Sequence, residues 1–210
     1  MESEPFTSLS DINMIHRWLT NKGNVREAEL FIIACNFALR IGDLLKTTVA
    51  QSQLDSFVVT GNEQKTGKHK ELPINKSARQ AIDRLLSWYR NELGIEPVYL
   101  FQSTSKNTRD RITAITARHF NNKLKEAVEA IGYKVKRKLK SGEIVGDFAV
   151  SSHSCRKAFG YHSYMNGTDI RYLQELYNHS TEKQTLTYIG ITRKTVKDVY
   201  LSSEIGIDIV

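Results

Sequence analysis

Most side chains suited to catalytic chemistry lie in the last third of this chain. His153 and Arg156 occur together in His-Ser-Cys-Arg, His179 follows in Asn-His-Ser, and Tyr188 follows in Thr-Tyr. A second arginine, Arg40, lies far upstream in Ala-Leu-Arg-Ile-Gly-Asp. Together these groups could neutralise an anion, transfer a proton and supply an oxygen nucleophile.

A phosphodiester is the substrate that best matches this set. Near its transition state it carries negative charge on two nonbridging oxygens, which the guanidinium groups of Arg40 and Arg156 could hold through paired hydrogen bonds. A free tyrosine has a pKa of about 10 and is a poor nucleophile at neutral pH. Nearby cations favour its phenolate, and a histidine can accept its proton. On a helix, His153 and Arg156 would project from one face.

The composition favours DNA over a small-molecule substrate. The chain has 30 Lys+Arg against 23 Asp+Glu, a formal net charge of +7 and a pI near 9.3. Such an excess suits a polyanionic partner. With 210 residues, 40% of them apolar, and only three prolines, the sequence predicts one domain over 1–210.

Cysteine usage and hydropathy predict a cytoplasmic protein without membrane association. Cys35 and Cys155 form neither a metal-ligand pattern nor a disulfide framework, which is typical of a reducing compartment. The acidic N-terminus has no signal-peptide core, and no apolar run approaches the length of a membrane span.

Periodicity predicts a mainly α fold with a small three-stranded antiparallel sheet. Apolar residues at helical spacing predict helices over roughly 8–20, 75–91 and 113–131, and a segment that is apolar nearly all round predicts a buried helix over 25–39. Further helical segments are predicted over roughly 153–166, 169–178, 182–189 and 193–202. Short runs between turn residues predict strands over 57–60, 63–66 and 69–74.

Five segments together resemble the motifs of the tyrosine recombinases, the phage-integrase family. They have the family's order and intervals: Arg156 precedes His179 by 23 residues, and His179 precedes Tyr188 by nine. The resemblance extends from about residue 8 to about residue 190. The segments are 37–45 around Arg40, the hairpin 63–68, His153 to Phe159, Leu176 to Ser180, and Thr187-Tyr188.

The resemblance implies transesterification without metal or nucleotide. Tyr188 would be the nucleophile that forms a 3′-phosphotyrosyl bond and releases a 5′-hydroxyl. Arg40 and Arg156 would hold the scissile phosphate. His153 would accept a proton and donate a hydrogen bond, and His179 would be a second donor to the phosphate.

The same resemblance assigns a lysine to the hairpin. Lys65 would protonate the leaving 5′-oxygen because it directly precedes the Thr-Gly turn, and Lys68 would be a backbone contact. Lys68 is also the competitor for the protonating role. Asp43 could orient Arg40, or the two could form an ordinary buried ion pair.

A basic run, Tyr133-Lys-Val-Lys-Arg-Lys-Leu-Lys140, follows the predicted helix 113–131. It is interpreted as a DNA-phosphate contact, with a solvated loop or a lysine-protected hairpin edge as alternatives. The cations are Lys134, Lys136, Arg137, Lys138 and Lys140.

Other histidines and tyrosines have less specific interpretations. His162 is predicted to be a packed helix residue, and His16, His69 and His119 to be surface or satisfied core residues. Tyr200 is the alternative nucleophile. The remaining tyrosines of the last helices are predicted to lie mostly in the core: Tyr161, Tyr164, Tyr172 and Tyr177.

The predicted function is site-specific DNA recombination. The alternatives are relaxation of DNA in the manner of a type IB topoisomerase and DNA binding without cleavage. The resemblance implies double-stranded DNA and further copies of the chain, in a tetrameric synapse, as partners, with possible use of DNA-bending or directionality factors. Compared with many family members, the sequence contains no match to the separate N-terminal DNA-clamping domain, so it is predicted to be an isolated catalytic fragment or a short single-domain member. By the resemblance, the tail, 191–210, is predicted to dock in trans, with docking on the chain's own core as the alternative.

Overall fold

The helices and strands of this computed structural model position the predicted site residues near one another. The structure describes residues 3–59, 70–105, 112–133, 135–138, 144–147, 150–191 and 200. Its helices are α1 (Leu9–Asn21), α2 (Val25–Cys35), α3 (Ile41–Leu44), α4 (Val49–Ser52), α5 (Lys76–Leu93), α6 (Ala117–Ala130), α7 (Ser152–Met165), α8 (Ile170–Tyr177) and α9 (Glu182–Tyr188).

Helix α2 is the centre of the main core. Its Leu30, Phe31 and Ile33 are fully buried, and α1, α5, α6 and α7 all pack against it. The prediction that this helix extends to residue 39 was wrong. It ends at Cys35, where the side chain of Asn36 donates a hydrogen bond to the carbonyl of Ile32 at 2.8 Å. Such a side-chain bond competes with continuation of the helix.

Two antiparallel hairpins are present in the part of the chain that the structure describes. Strand β1 (Ser56–Val59) pairs with β2 (Lys70–Pro73), and β3 (Val135–Lys138) pairs with β4 (Ile144–Asp147). The predicted outer strands of the first sheet are confirmed, while the predicted strand 63–66 lies outside the described residues. For the basic run, the hairpin interpretation is confirmed at β3.

The N-terminal segment packs into the core. Phe6 is fully buried, and its ring centroid lies 5.3 Å from that of Phe31 and 5.6 Å from that of Tyr133. The Nε2 of His162 donates a hydrogen bond to the Phe6 carbonyl at 3.0 Å. His162 is therefore a packed helix residue, as predicted, and it joins α7 to the start of the chain.

A second, smaller core joins the last helices. Leu173, Tyr177 and Ile189 are buried together with Ala38, which connects α8 and α9 to the segment before α3. Of the predicted helix 193–202 and the tail, only Tyr200 and Ile191 are described. Among the described residues, no helix is long and apolar enough to cross a membrane.

Candidate active site

A capping box fixes the start of α7 and thereby the positions of His153 and Arg156. The Ser151 hydroxyl accepts a hydrogen bond from the His153 amide, and the Ser154 hydroxyl accepts one from the Ser151 amide, both at 3.2 Å. These bonds satisfy amides that have no partner inside the helix. In the first turn His153 is exposed between the buried Ser152 and Ser154, whereas Arg156 lies one turn later and is buried.

Arg156 joins the two halves of the chain. Its side chain is held by Ala38, whose carbonyl accepts a hydrogen bond from Nε at 2.7 Å. The guanidinium lies 4.7 Å above the ring of Tyr177, and the Tyr177 hydroxyl donates to the Arg156 carbonyl at 2.8 Å. Only 7% of Arg156 is exposed. The side chain is therefore fixed before any substrate arrives.

The guanidinium of Arg156 reaches the predicted nucleophile. Its Nη1 lies 3.5 Å from the hydroxyl oxygen of Tyr188, which is the last residue of α9 and is half-buried. The ring of His179 meets the Tyr188 ring edge to face, with centroids 5.0 Å apart. The structure thus brings together Arg156, His179 and Tyr188, as the sequence predicts.

The left-handed conformation of Asn178 turns the chain so that His179 follows α8 directly. Asn178 has φ 56°, a region that glycine adopts easily and asparagine tolerates better than most residues. Two hydrogen bonds between His179 and Gln174 fix the turn. The His179 amide donates to the backbone carbonyl of Gln174 at 3.0 Å, and Nε2 of Gln174 donates to the His179 carbonyl at 3.1 Å.

An open groove lies beside the predicted nucleophile. It has a volume of about 430 Å³ and is wide enough to be accessible from solvent. Lys183 supplies a cation to its wall. The lining residues are His179, Thr181, Lys183, Gln184, Thr187 and Tyr188.

Both predicted histidines are surrounded by positive charge. Burial lowers the pKa of His153, and the charges of Arg156, Lys157 and Arg40 lower it further. Burial and the charges of Arg156 and Arg40 likewise lower the pKa of His179. Both rings are therefore neutral at neutral pH, so His153 is able to accept a proton.

Arg40 precedes α3 and is exposed, in contrast to Arg156. The alternative that it forms a buried ion pair with Asp43 is therefore wrong. Within the described ranges, no hydrogen bond or ion pair joins the two side chains. The orienting role of Asp43 stays a prediction. The influence of Arg40 on the pKa of both histidines shows that its charge lies near the same site.

The predicted catalytic lysine, Lys65, lies outside the described residues. So do three of the predicted DNA contacts, Lys68, Lys134 and Lys140. For Lys136, Arg137 and Lys138 the structure describes the backbone, in β3. Their roles stay predictions.

The remaining histidines and tyrosines can be compared with their predicted environments. His16 and His119 contact Glu29 and Glu27, at 3.2 Å and 2.7 Å, and so have partners as predicted. Tyr200 is 80% exposed, and Tyr172, predicted to lie in the core, is 70% exposed on α8. The core prediction was wrong for Tyr172 because α8 turns that face towards solvent. His69 is not described.

Sequence reasoning missed three residues that contact the site. Tyr177 was assigned only to the core, yet it supports Arg156. Thr185 is fully buried, with Oγ1 3.1 Å from Nδ1 of His179. Lys157 is 4% exposed, with Nζ 4.9 Å from the centre of the Tyr188 ring. The signal for Thr185 was its position three residues before Tyr188, which places both on one helix face.

Comparison with known proteins decides the family. The model of the phage integrase family matches residues 8–194. The chain belongs to the phage integrase family. It is 34% identical over 197 residues to the probable integrase/recombinase YoeC of Bacillus subtilis strain 168, and the match covers 94% of each chain. The resemblance seen in the sequence is confirmed.

Other members of the family are longer than this chain. Tyrosine recombinase XerA of Pyrococcus horikoshii is 25% identical over 175 residues, which cover 83% of this chain and 54% of XerA. The chain thus spans about half the length of that relative, but nearly all of YoeC.

Solved structures of the family share the fold. A crystal structure of XerA recombinase superposes with a TM-score of 0.67 at 15% identity, covering 98% of this chain and 66% of that one. The structure of a lambda integrase (75-356) dimer bound to a COC′ core site gives a TM-score of 0.64 at 14% identity. The superposition covers 100% of this chain and 65% of the integrase chain. The mainly α catalytic-domain fold predicted from the sequence is confirmed.

Proposed function

We propose that this chain is a tyrosine-type site-specific DNA recombinase with Tyr188 as its nucleophile. The observation that carries the proposal is the contact of Tyr188 with a fixed guanidinium, that of Arg156, 3.5 Å from the tyrosine hydroxyl. A scissile phosphate held by Arg156 would lie next to the attacking oxygen. Positive charge that is positioned before the reaction commonly accounts for most of the rate enhancement in such catalysis.

The cleavage step exchanges one phosphodiester for another. The Tyr188 oxygen forms a bond to phosphorus, and the bond from phosphorus to the 5′-oxygen breaks. His153, neutral because its pKa is lowered, accepts the phenolic proton, and Lys65 gives a proton to the leaving 5′-oxygen, with Lys68 as the alternative donor. Arg40, Arg156 and His179 stabilise the charge on the nonbridging oxygens.

Rejoining reverses this step with a different strand. The 5′-hydroxyl of a partner duplex attacks the phosphotyrosyl bond, and Tyr188 leaves. The energy of the broken bond is conserved in the adduct, so no nucleotide is required, and Arg40 and Arg156 would neutralise the phosphate in place of a metal ion. In the part of the chain that the structure describes, no group of three or more His, Cys, Asp or Glu side chains could hold a metal ion.

Strand exchange requires more than one copy of the chain. We propose that four copies assemble on two duplexes in the cytoplasm, with each tail, 191–210, docked on a neighbouring copy. Accessory factors that bend DNA or set direction would act on this assembly. The relatives include a lambda integrase dimer bound to a core site, which supports an assembly on DNA.

Covalent capture of DNA tests the assignment of Tyr188. Tyr188→Phe should retain DNA binding and lose the protein–DNA adduct, because only the nucleophilic oxygen is removed. Tyr172→Phe, on the exposed face of α8, is the matched control and should form the adduct normally. An adduct that persists in Tyr188→Phe but vanishes in Tyr200→Phe would overturn the assignment.

The type of reaction can be separated with supercoiled plasmids, one of which carries the cognate site. Sequencing the DNA ends trapped on the protein identifies that site. Exchange only at the site supports recombination, whereas relaxation of any plasmid indicates topoisomerase activity. Binding without an adduct on either plasmid would indicate a non-cleaving DNA-binding protein.

A further inference from the structure

Thr185 is a buried side chain whose hydroxyl contacts a ring nitrogen of the proposed phosphate donor His179. Its Oγ1 lies 3.1 Å from Nδ1 of His179 and 3.3 Å from the carbonyl oxygen of Thr181. Among the residues that the structure describes, Thr185 is the one hydrogen-bond partner of the His179 ring. Because Thr185 is fully buried, water does not compete for its hydroxyl.

The single hydroxyl hydrogen of Thr185 can be donated to only one of these two neighbours. The Thr181 carbonyl is the more distant, and it already accepts the Thr185 amide at 3.2 Å as part of α9. With the ring hydrogen on Nδ1, that nitrogen would donate to Oγ1 and the hydroxyl would donate to the Thr181 carbonyl, and Nε2 would present a lone pair. Donation from Thr185 to Nδ1 uses the shorter of the two contacts, leaves the Thr181 carbonyl with its amide donor, and is the arrangement in which Nε2 can donate to a phosphate.

The direction of this bond decides where the ring hydrogen of His179 lies. Burial and the charges of Arg156 and Arg40 lower the pKa of His179, so the neutral ring carries one hydrogen. If Nδ1 accepts from Thr185, that hydrogen is on Nε2. His179 lines the groove beside Tyr188, and Nε2 is the ring nitrogen that is not occupied by Thr185.

We propose that Thr185 is a positioning residue that holds the ring hydrogen of His179 on Nε2. This inference rests on the proposed function, in which His179 donates a hydrogen bond to the scissile phosphate. A phosphate oxygen is an acceptor, so the opposite tautomer would present a lone pair to it and repel it. Thr185 thereby makes a neutral histidine a donor without the cost of protonating it among two arginines.

The tautomer can be measured without DNA and without activity. In ¹⁵N-labelled wild-type protein at neutral pH, two-bond ¹H–¹⁵N correlations distinguish a protonated from an unprotonated ring nitrogen. The signals of His179 are assigned by their loss in His179→Gln. We expect Nε2 to be protonated in the wild type. A hydrogen on Nδ1 would overturn the proposal, whatever the protein does to DNA.

Cleavage measurements with two substitutions test the consequence for catalysis. Thr185→Val keeps the shape and removes the hydroxyl. It should slow single-turnover cleavage by roughly 10- to 100-fold, by analogy with the loss of a partner that orients a metal-ligating histidine. Thr185→Ser keeps the hydroxyl and should restore most of the rate. Both variants should bind the DNA site with similar affinity.

The outcomes separate the two proposals. If Thr185→Ser is as slow as Thr185→Val, or if neither differs from the wild type, the hydroxyl does not position His179. If the wild type forms no covalent adduct on any DNA, the proposed function fails, while the tautomer measurement still decides the role of Thr185. If Thr185→Val does not fold, the wild-type spectrum and the serine variant remain decisive.

Discussion

At the scale of single residues, the two arginines of the site differ in how they are held. Arg156 is buried and bonded to the Ala38 carbonyl, whereas Arg40 is exposed. Because removal of Arg156 leaves a buried carbonyl without its donor, Arg156→Ala should lower the free energy of unfolding by about 1–3 kcal/mol. Arg40→Ala should change it by no more than about 0.5 kcal/mol.

Both substitutions should nevertheless reduce cleavage strongly. Loss of one positioned donor typically costs on the order of 10²- to 10³-fold in rate, and a full charge should cost at least as much. Urea unfolding and covalent-capture assays on the same two variants provide the measurements. Equal stability of the two variants would contradict the view that burial distinguishes the arginines.

The sequence was sufficient to predict which residues meet at the site, but not what holds them. Arg156, His179 and Tyr188 could be predicted because their types and intervals match the chemistry and the family. Thr185 and Tyr177 could not, because their roles depend on hydrogen bonds with His179 and with the Arg156 backbone. The spacing of Thr185 and Tyr188 indicates that both lie on one helix face, but it does not show that the Thr185 hydroxyl contacts His179.

At the scale of the helices, Gly160 allows α7 to pack closely against Tyr177 and Ile189. A Cβ added to Gly160 would lie 2.5 Å from the Tyr177 hydroxyl and 2.6 Å from Cγ2 of Ile189. Gly160→Ala should therefore destabilise the protein by about 1–3 kcal/mol, the usual effect of overpacking. It should also slow cleavage, since displacement of Tyr177 removes its hydrogen bond to the Arg156 carbonyl.

Gly42→Ala is the matched control for this substitution. Gly42 lies in α3, and a Cβ there would meet nothing within 4 Å. Alanine is favoured over glycine in helices by about 1 kcal/mol, so thermal unfolding should show no loss of stability. A Gly160→Ala protein as stable as Gly42→Ala would show that the packed helices can move apart at little cost.

A second prediction at this scale concerns the acid stability of α2. Burial alone would raise the pKa of Glu27, but the ion pair with Arg26 and the hydrogen bond from His119 outweigh it and lower the pKa below 4.5. The carboxylate therefore contributes stability that is present above pH 4.5 and is lost as the pH falls through the lower folded-state pKa.

Glu27→Gln should thus be destabilising at neutral pH and progressively less so in acid. Removal of one partner of a buried pair costs about 3–5 kcal/mol at neutral pH. Glu126→Gln, in the exposed pair with Lys123, should cost less than about 1 kcal/mol. Urea unfolding across the acidic range provides the measurement, and a difference between wild type and Glu27→Gln that is independent of pH would contradict this account.

The helices themselves were largely predictable, whereas some of their ends were not. Apolar spacing located α1, α5 and α6 to within a few residues, because their buried faces recur at the helical period. The end of α2 was missed because apolar residues continue through Phe37 to Leu39 into the core beyond the helix. In the sequence, apolar residues that are buried in a non-helical segment cannot be distinguished from those buried within a helix.

At the scale of the whole molecule, the formal net charge of +7 leaves open which surface binds DNA. The basic run contributes to the hairpin of β3 and β4, and β3 contains three of its cations. If this hairpin lies on the phosphate backbone, neutralising Lys136, Arg137, Lys138 and Lys140 should weaken binding about equally on all sequences. Phosphate contacts contribute affinity without base specificity.

The salt dependence of binding distinguishes this contact from a general effect of charge. Each lost phosphate contact should reduce the slope of log K against log salt by roughly 0.9. A control variant lowers the formal net charge of +7 by the same amount at sites away from the hairpin. It neutralises four exposed cations on or next to α1, α5 and α6, namely Arg17, Lys22, Arg90 and Lys125. Its slope should remain near that of the wild type. If both variants reduced the slope equally, the hairpin would act only through net charge. If the hairpin variant had the wild-type slope, the hairpin would be a solvated surface that does not contact phosphate.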